Sequence, residues 1–465
     1  MSISESAQLR VAELFAGVGG FRVGLEAVNG EGVAKANGKS KAYQVVYSNQ
    51  FEPGSKRQHA SDVYKHRFGA EGHSNEDIFS VVSDPSKFAA IIAARADVLV
   101  GGFPCQDYSV CKPANQAAGI EGKKGVLWWS IHSVLEQLAQ CSQPVKHVIL
   151  ENVDRLVNSP SSCRGRDFAI ILSSLAGLGY AVEWRIVNSA DYGFPQRRKR
   201  IFMVCHHNST EIYQRLSRQC HAQESTPWLT ASTVLAQALP VQTDTDPTVS
   251  SFEVGQDVHG VQAHYKPQAN GKTPFAKTGV MLSGRVWTAD VKAAALTDFT
   301  TFTGSQEVLT LGDVVGRTQH VPPEYYLSQD SLATWSRLKG SKSKERISAE
   351  GHSYTFSEGA IAYPDSLTRA SRTVITGEGG SAPSRTKHVV ATPQGRLRRL
   401  MPEELEELNG FERGFTELEG VSDVRRSFFM GNALVVGIVT VIGRALIASI
   451  EQARKPVMES SSSRV

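Results

Sequence analysis

VAELFAGVGGFRVGLE, residues 11–26, is the stretch from which the fold can be read. An apolar, strand-like run leads into Gly17, Gly19 and Gly20, and a helical pattern begins at once. Glycines let backbone N–H groups approach a ligand, and a helix N-terminus favours a negative charge. The carboxylate of a small ligand suits such a turn as well as a phosphate, and a tight structural turn would use the same glycines. Phe15, just before them, sharpens the ligand reading, because an aromatic ring there can stack on a flat base. Asp77-Ile78, behind an acidic and polar loop, could then receive an exocyclic amine.

Further strand candidates lie at 9–15, 43–49, 96–101, 146–150, 182–188 and 200–205, with helical candidates at 20–28, 55–68, 126–140 and 167–178. This alternation predicts an α/β fold built on a Rossmann-like, doubly wound, mostly parallel sheet. Active sites of such sheets collect at the carboxyl ends of the strands. Glu13, Gln50, Cys105 and Glu151 all fall at or just beyond those ends, along one rim.

Cys105 sits in GGFPCQDYS (101–109), a turn after the apolar run Asp97-Val98-Leu99-Val100. A lone cysteine is more often an inert buried residue than a nucleophile. Only the thiolate attacks well, and a nearby cation lowers the thiol pKa. Arg198 and Arg200, in QRRKR (196–200), are candidates for that cation. Glu151 ends a wholly apolar strand, HVIL, where burial would raise its pKa and let it donate a proton near neutrality. Each feature alone has a bland structural reading. Nucleophile, acid and anion clamp in that order point to attack on an electron-poor ring.

With 465 residues, 41% of them hydrophobic and 21% charged, the chain has the composition of a soluble protein of two domains. A net charge of +4 does not by itself announce a nucleic-acid binder. Basic clusters at 196–200, 337–346 and 396–399 read first as solvated surface. None of the six cysteines forms CxxC and no His pair lies at zinc spacing beside them, so no metal site is expected. MSISESAQLR has neither a basic nor an apolar signal-peptide region, and reduced thiols fit a cytoplasm. The most membrane-like stretch, 433–450, is interrupted by Arg444 and reads as a buried helix.

Four parts are expected: a catalytic part at 1–205, an irregular second domain at 206–395, a return to the first part at 396–453, and a disordered tail at 454–465. Residues 206–395 carry 17 Lys+Arg against 17 Asp+Glu, with weak periodicity. After them RLRRLMPEELEELNGF predicts a helix with Pro402 in its first turn, closing at Asn409-Gly410. A helix over 432–450 is expected next, with Asn432 as its N-cap.

Taken together, these residues resemble the cytosine-C5 DNA methyltransferase family over roughly 11–205 and 396–445. LFAGVGGF is similar to the family's S-adenosylmethionine motif and GFPCQDYS to its nucleophile motif. YSNQFEP, EDIFS, GVLWWSI (125–131), ENV, QRRKRIF, RLRRLMPEELEELNGF and GNALVVGIV complete the set in family order. The resemblance implies the S-adenosylmethionine-dependent methyltransferase fold, with S-adenosyl-L-methionine as methyl donor and no metal. It implies that Cys105 attacks C6 of a flipped-out cytosine, that Glu151 holds ring N3 and the amine, and that Arg198 and Arg200 hold the nucleotide. Phe15, Ala16, Gly17, Gly19, Gly20, Gln50, Asp77, Ile78, Pro104, Leu127, Asn432 and Ala433 fall at cofactor-site positions, Asn432 also bracing the site.

One departure is Gln50, where the family places an acid for the ribose hydroxyls; Glu52 follows two residues on, and 29–41 looks like a loop insertion. Residues 206–395 occupy the place of the family's target-recognition domain, with 337–346 as candidate phosphate contact and RTVITGEGGSAPSRTKHVV (372–390) similar to its closing stretch.

The implied partner is double-stranded DNA, methylated within one short sequence. A cognate restriction endonuclease is a functional rather than physical partner, in a bacterial cytoplasm. A monomer is the default, because a base-flipping enzyme needs one site per target strand. A tRNA substrate, a non-catalytic DNA-binding relative and a Rossmann oxidoreductase are the alternatives. The long 206–395 region weighs against the first, intact Cys105, Glu151, Arg198 and Arg200 against the second, and PCQ and ENV against the third.

Overall fold

A computed structural model describes residues 8–28, 42–103, 126–221, 228–242, 247–266, 268, 271–296, 308–347 and 353–454. The strands β1 (Leu9–Leu14), β2 (Tyr43–Asn49), β3 (His73–Ser74), β4 (Val98–Gly102) and β5 (His147–Val153) form one parallel array in the order β3-β2-β1-β4-β5. All seven residues of β5 and the first four of β4 are buried, as continuous apolar runs in a central parallel sheet must be. Side chains alternate between two cores: Val98, Val100 and Ile149 face one, Leu99, Val148 and Leu150 the other.

The helices α1 (Gly20–Glu26) and α2 (His59–Phe68) contribute to the first core, together with the long helix Val436–Arg454. On the opposite face lie α3 (Ile78–Ser83), α4 (Pro85–Ala94), α5 (Val126–Gln140) and α6 (Arg166–Gly177). The order reverses between β1 and β4, which makes the carboxyl ends of those two strands the switch point where α/β folds bind ligands.

The rest of the ten-stranded sheet is antiparallel. Strands β6 (Tyr180–Asn188) and β7 (Lys199–His207) form a hairpin, with β7 between β5 and β6. Only the short link 189–198 joins them, and a parallel return would need a longer crossover. Beyond β6 come β9 (Thr278–Leu282), β10 (Arg285–Ala289) and β8 (Ser250–Glu253). The border expected at 205 therefore runs through one continuous sheet, in which Val182 pairs with Met281. Helix α7 (Glu211–His221) also packs on Val436–Arg454. The border at 395 passes through another hairpin, where Val389 pairs with Arg399.

Two local expectations change. Asn432 is the last residue of the helix Asp423–Asn432 and does not cap the next one, which starts at Val436. The helix expected with Pro402 in its first turn spans Pro402–Leu408 and closes at Asn409, as expected, with the strand Leu397–Arg399 before it. The cluster 396–399 is not simply solvated: Arg398 is buried against Glu404 at 2.7 Å, and Arg399 donates to Gly380 O at 2.9 Å. The apolar stretch within Asp423–Arg454 is long enough to cross a membrane, but 78% of its most apolar window is buried inside the protein. The tail from 455, the 29–41 insertion and the Pro104-Cys105-Gln106 turn lie outside the described residues.

Candidate active site

The glycine turn closes through its own backbone. Gly19 N donates to Ala16 O at 2.8 Å, and Ala16 N to Asn49 O at the end of β2 at 3.0 Å. Gly17 and Gly19 have φ of +56° and +96°, which glycine adopts freely. A side chain at Gly19 would strike the Phe68 ring, whereas one at Gly17 would point into open space. The turn thus has a filled back at Gly19 and an open front at Gly17, the shape of a cradle. Phe15 holds φ +54°, a conformation that costs a bulky residue about 1–3 kcal/mol and marks functional turns. Gly20 opens α1 against Leu434, so the late segment 433–435 closes onto this turn.

Gln50 is committed to that cradle. Its carboxamide oxygen accepts from Gly17 N at 2.7 Å, and its own main-chain oxygen accepts from Asn75. That side-chain oxygen thus holds the Gly17 turn. Glu52 pairs with Arg425 at 3.3 Å. Asp77 caps α3 by accepting from Phe79 N at 3.0 Å, and Ile78 beside it is buried. Leu127, in the first turn of α5, is partly buried against the second core. Phe15, Gln50 and Asp77 all follow the carboxyl ends of neighbouring strands.

Glu13, just before the turn, is fully buried and accepts from Tyr64 Oη at 2.9 Å and Arg22 N at 3.3 Å. Burial pushes its pKa up to about 7. A raised carboxyl pKa gives stability that is complete below the unfolded value of 4.5 and lost as pH rises through about 7. The loss is about 3 kcal/mol at about 1.36 kcal/mol per unit. Glu13→Gln is therefore expected to melt higher than wild type at pH 8.5, with the advantage shrinking by pH 5.5. Thermal melts at both pH values check this; an equal difference at both would refute it.

The other half of the rim is built around Glu151. On β5 it stands opposite Gly102 of β4, and a side chain at Gly102 would come within 3.2 Å of Glu151 Oε2. Glycine there leaves room for the carboxylate. Glu151 Oε1 accepts from Arg200 Nε at 2.8 Å, with both side chains largely buried. Glu151 thus ends its apolar strand beside a cation. Next to it, Asn152 donates to Phe103 O at 3.2 Å and accepts from Val153 N at 2.8 Å. Asn152 so fixes the chain two residues before Cys105.

Arg198 and Arg200 have different surroundings. Arg198 is buried and donates to Val374 O and Gly431 O, each at 2.9 Å. It ties the start of β7 to the segment 371–376 and to the end of Asp423–Asn432. Gln196 completes this tie, donating to Leu408 O at 3.1 Å and Asn409 Oδ1 at 3.0 Å while accepting from Val374 N at 3.0 Å. Gly431 is obligatory here, since any Cβ would overlap Thr376 N. Asn432 is exposed and Ala433 half-buried beside it. Sequence reasoning missed Asn152, Gln196 and Asn409, although each lay inside a motif it quoted.

A family model described as C-5 cytosine-specific DNA methylase matches residues 9–448. The chain is 38% identical over 443 residues to the Type II methyltransferase M.Sau3AI of Staphylococcus aureus, covering 94% of this chain and 95% of that protein. It is 29% identical over 204 residues to the Type II methyltransferase M.HhaI of Haemophilus parahaemolyticus, covering 44% of this chain and 51% of that one. Among solved structures, the S. pombe Dnmt2 methyltransferase aligns with a TM-score of 0.52 at 13% identity, over 97% of this chain and all of that one. The Entamoeba histolytica methyltransferase EhMeth aligns with a TM-score of 0.51 at 13% identity, over the same shares.

Proposed function

Because this chain belongs to the C-5 cytosine-specific DNA methylase family, and is a DNA cytosine-5-methyltransferase, we propose that it methylates one cytosine within a short duplex sequence through a covalent Cys105 adduct. The observation that carries this reading is the Glu151–Arg200 pair at 2.8 Å, with Glu151 on β5 opposite Gly102 of β4, whose end leads into Cys105. C5 of cytosine is a poor nucleophile, and covalent addition at C6 splits one hard step into two easier ones. The target atom is inaccessible in a duplex, so the base leaves the stack at a cost of about a few kcal/mol.

In this reading the Cys105 thiolate forms a bond to C6, and the ring's C5=C6 electrons move to C5. Glu151, oriented by Arg200, holds N3 and the exocyclic amine and steadies the charge gathered there. Bound S-adenosylmethionine supplies the electrophilic methyl group that C5 accepts. A base takes the C5 proton, the C5=C6 bond reforms and the Cys105 sulfur leaves. The open cradle at Gly17, with Phe15, Ala16, Gly19, Gly20, Gln50, Asp77, Ile78, Pro104 and Leu127, would hold the cofactor. Asn432 and Ala433 would brace it through the neighbouring Leu434. Target recognition falls to the part of 206–395 outside the sheet, mainly 308–391. Protection of host DNA from a cognate endonuclease in a bacterial cytoplasm is the biological role this enzyme class implies.

Bisulfite sequencing of duplex DNA from cells expressing the chain tests the proposal. Conversion-resistant cytosines confined to one short motif are expected. Methylated tRNA with unmethylated duplex DNA would overturn it. Gln50→Ala is expected to weaken cofactor binding about tenfold, since losing one such hydrogen bond costs about 1–1.5 kcal/mol and frees the Gly17 turn. Titration with S-adenosylhomocysteine measures this; an unchanged affinity would remove Gln50 from the site.

A further inference from the structure

Strands β11 (Lys342–Ile347) and β12 (Ser353–Glu358) form a two-stranded sheet that pairs with no other described strand. Nine of its twelve residues are exposed, and Lys342, Phe356 and Glu358 are half-buried. Such ribbons are marginal alone and expose unpaired edges, so one retained in isolation needs a reason. The register separates its two faces. Lys342, Lys344 and Arg346 stand opposite Glu358, Phe356 and Tyr354 on one; Ser343, Glu345 and Ile347 stand opposite Ser357, Thr355 and Ser353 on the other. The first face therefore holds three cations and two aromatic rings against one carboxylate, which is itself tied to Arg385 at 3.3 Å. Arg346 lies 4.0 Å over the Phe356 ring and is held in place by it.

The ribbon is anchored at its base. Arg385 donates to Leu338 O at 2.9 Å and Gly340 O at 2.5 Å on one leg, and to Gly359 O on the other. Ile361 N closes the base onto Lys339 O at 2.8 Å. Lys339, expected with its cluster to meet phosphate, is buried and donates to Lys387 O instead. Arg372 joins the same backbone, donating to Thr386 O at 2.9 Å and Lys387 O at 3.2 Å. Two residues on, Val374 accepts from Arg198. A continuous run of bonds thus leads from the ribbon's base to β7 beside the active site.

We propose that this ribbon is the duplex-docking element, laying Lys342, Lys344 and Arg346 against DNA phosphates, with Arg385 as the positioning residue that sets its angle. This rests on the DNA reading above. Each strand spans about 20 Å, and a two-stranded ribbon fits a B-form major groove about 12 Å wide. The cation-rich face matches a polyanion, and the opposite face, with Glu345 and hydroxyls, does not.

Fluorescence anisotropy with a mixed-sequence 30-base-pair duplex over a salt series tests it. Each lost phosphate contact lowers the slope of log affinity against log salt by about 0.9. K342Q/K344Q/R346Q is expected to lower the slope by about 2–3 and the affinity at least about tenfold near 0.1 M salt. KM for DNA should rise while kcat at saturating DNA and KM for the methyl donor stay put. Arg385→Ala should raise KM for DNA in the same way, with Arg385→Lys recovering only part, because one ammonium cannot span both legs. Lys146→Gln, at the amino end of β5, should change nothing. If wild type fails to bind duplex DNA, the functional reading falls. If wild type binds and the triple variant keeps its slope and affinity, the ribbon proposal alone falls.

Discussion

Cys105→Ala is expected to lower methyl transfer by at least about four orders of magnitude while S-adenosylhomocysteine binding stays within about twofold of wild type. Removing a covalent nucleophile abolishes a pathway rather than trimming it, and losses of that order or larger follow in enzymes that depend on one. The turn proposed to hold the cofactor is built from main-chain groups of Ala16, Gly17 and Gly19 and from Gln50, so binding and chemistry are expected to separate. A second measurement isolates the adduct. In duplex DNA carrying 5-fluorocytosine, C5 has no proton to lose after methylation, so the C6–sulfur bond cannot be released by elimination. Wild type should then give a protein–DNA complex that survives detergent and heat, and Cys105→Ala should give none. Turnover in the alanine variant within tenfold of wild type would sink the covalent route.

What the sequence disclosed and what it concealed divide on a physical line. The central strands were legible because β4 and Val148–Leu150 of β5 are apolar runs buried on both faces. Helix α5 was placed at 126–140 because its apolar residues recur at helical spacing. The local signals for α4 were present and unread: Asp84 caps it through Ser86 N at 2.9 Å, and Pro85 opens it. So was the Ser283-Gly284 turn between β9 and β10, where both residues have positive φ. Other features have no local signal at all. That Thr278–Leu282 extends the sheet depends on pairing with a strand 93 to 99 positions earlier. Gln196 bonds Leu408 O at a separation of 212 residues, and Arg198 bonds Gly431 O at 233. Motif order indicated that these segments belong to one site; which side chain faces the substrate rim and which faces the frame depends on tertiary contacts.

That distinction is sharpest for Glu151 and Arg200, where a double-mutant cycle should give losses that do not multiply. Glu151→Gln keeps the shape and removes the charge, and is expected to reduce kcat/KM by about 10²–10³, the usual range for losing one group that steadies charge developing in the reaction. Arg200→Ala should cost nearly as much, because Glu151 loses the partner that aims it. If Arg200 acts largely through Glu151, the double variant should lose little more than the worse single one. Stability should show the same coupling in a different pattern. A buried ion pair contributes little net stability, whereas stripping one partner leaves an uncompensated charge. Arg200→Ala is thus expected to destabilise the fold by about 2–3 kcal/mol, and adding Glu151→Gln should recover most of that without recovering activity. Denaturant melts and initial rates on the same four proteins decide the matter. Multiplying kinetic losses would mean that Arg200 touches the nucleotide by itself. Coupled losses with rescued stability would mean that the pair works as one group, with Arg200 aiming the carboxylate at the ring.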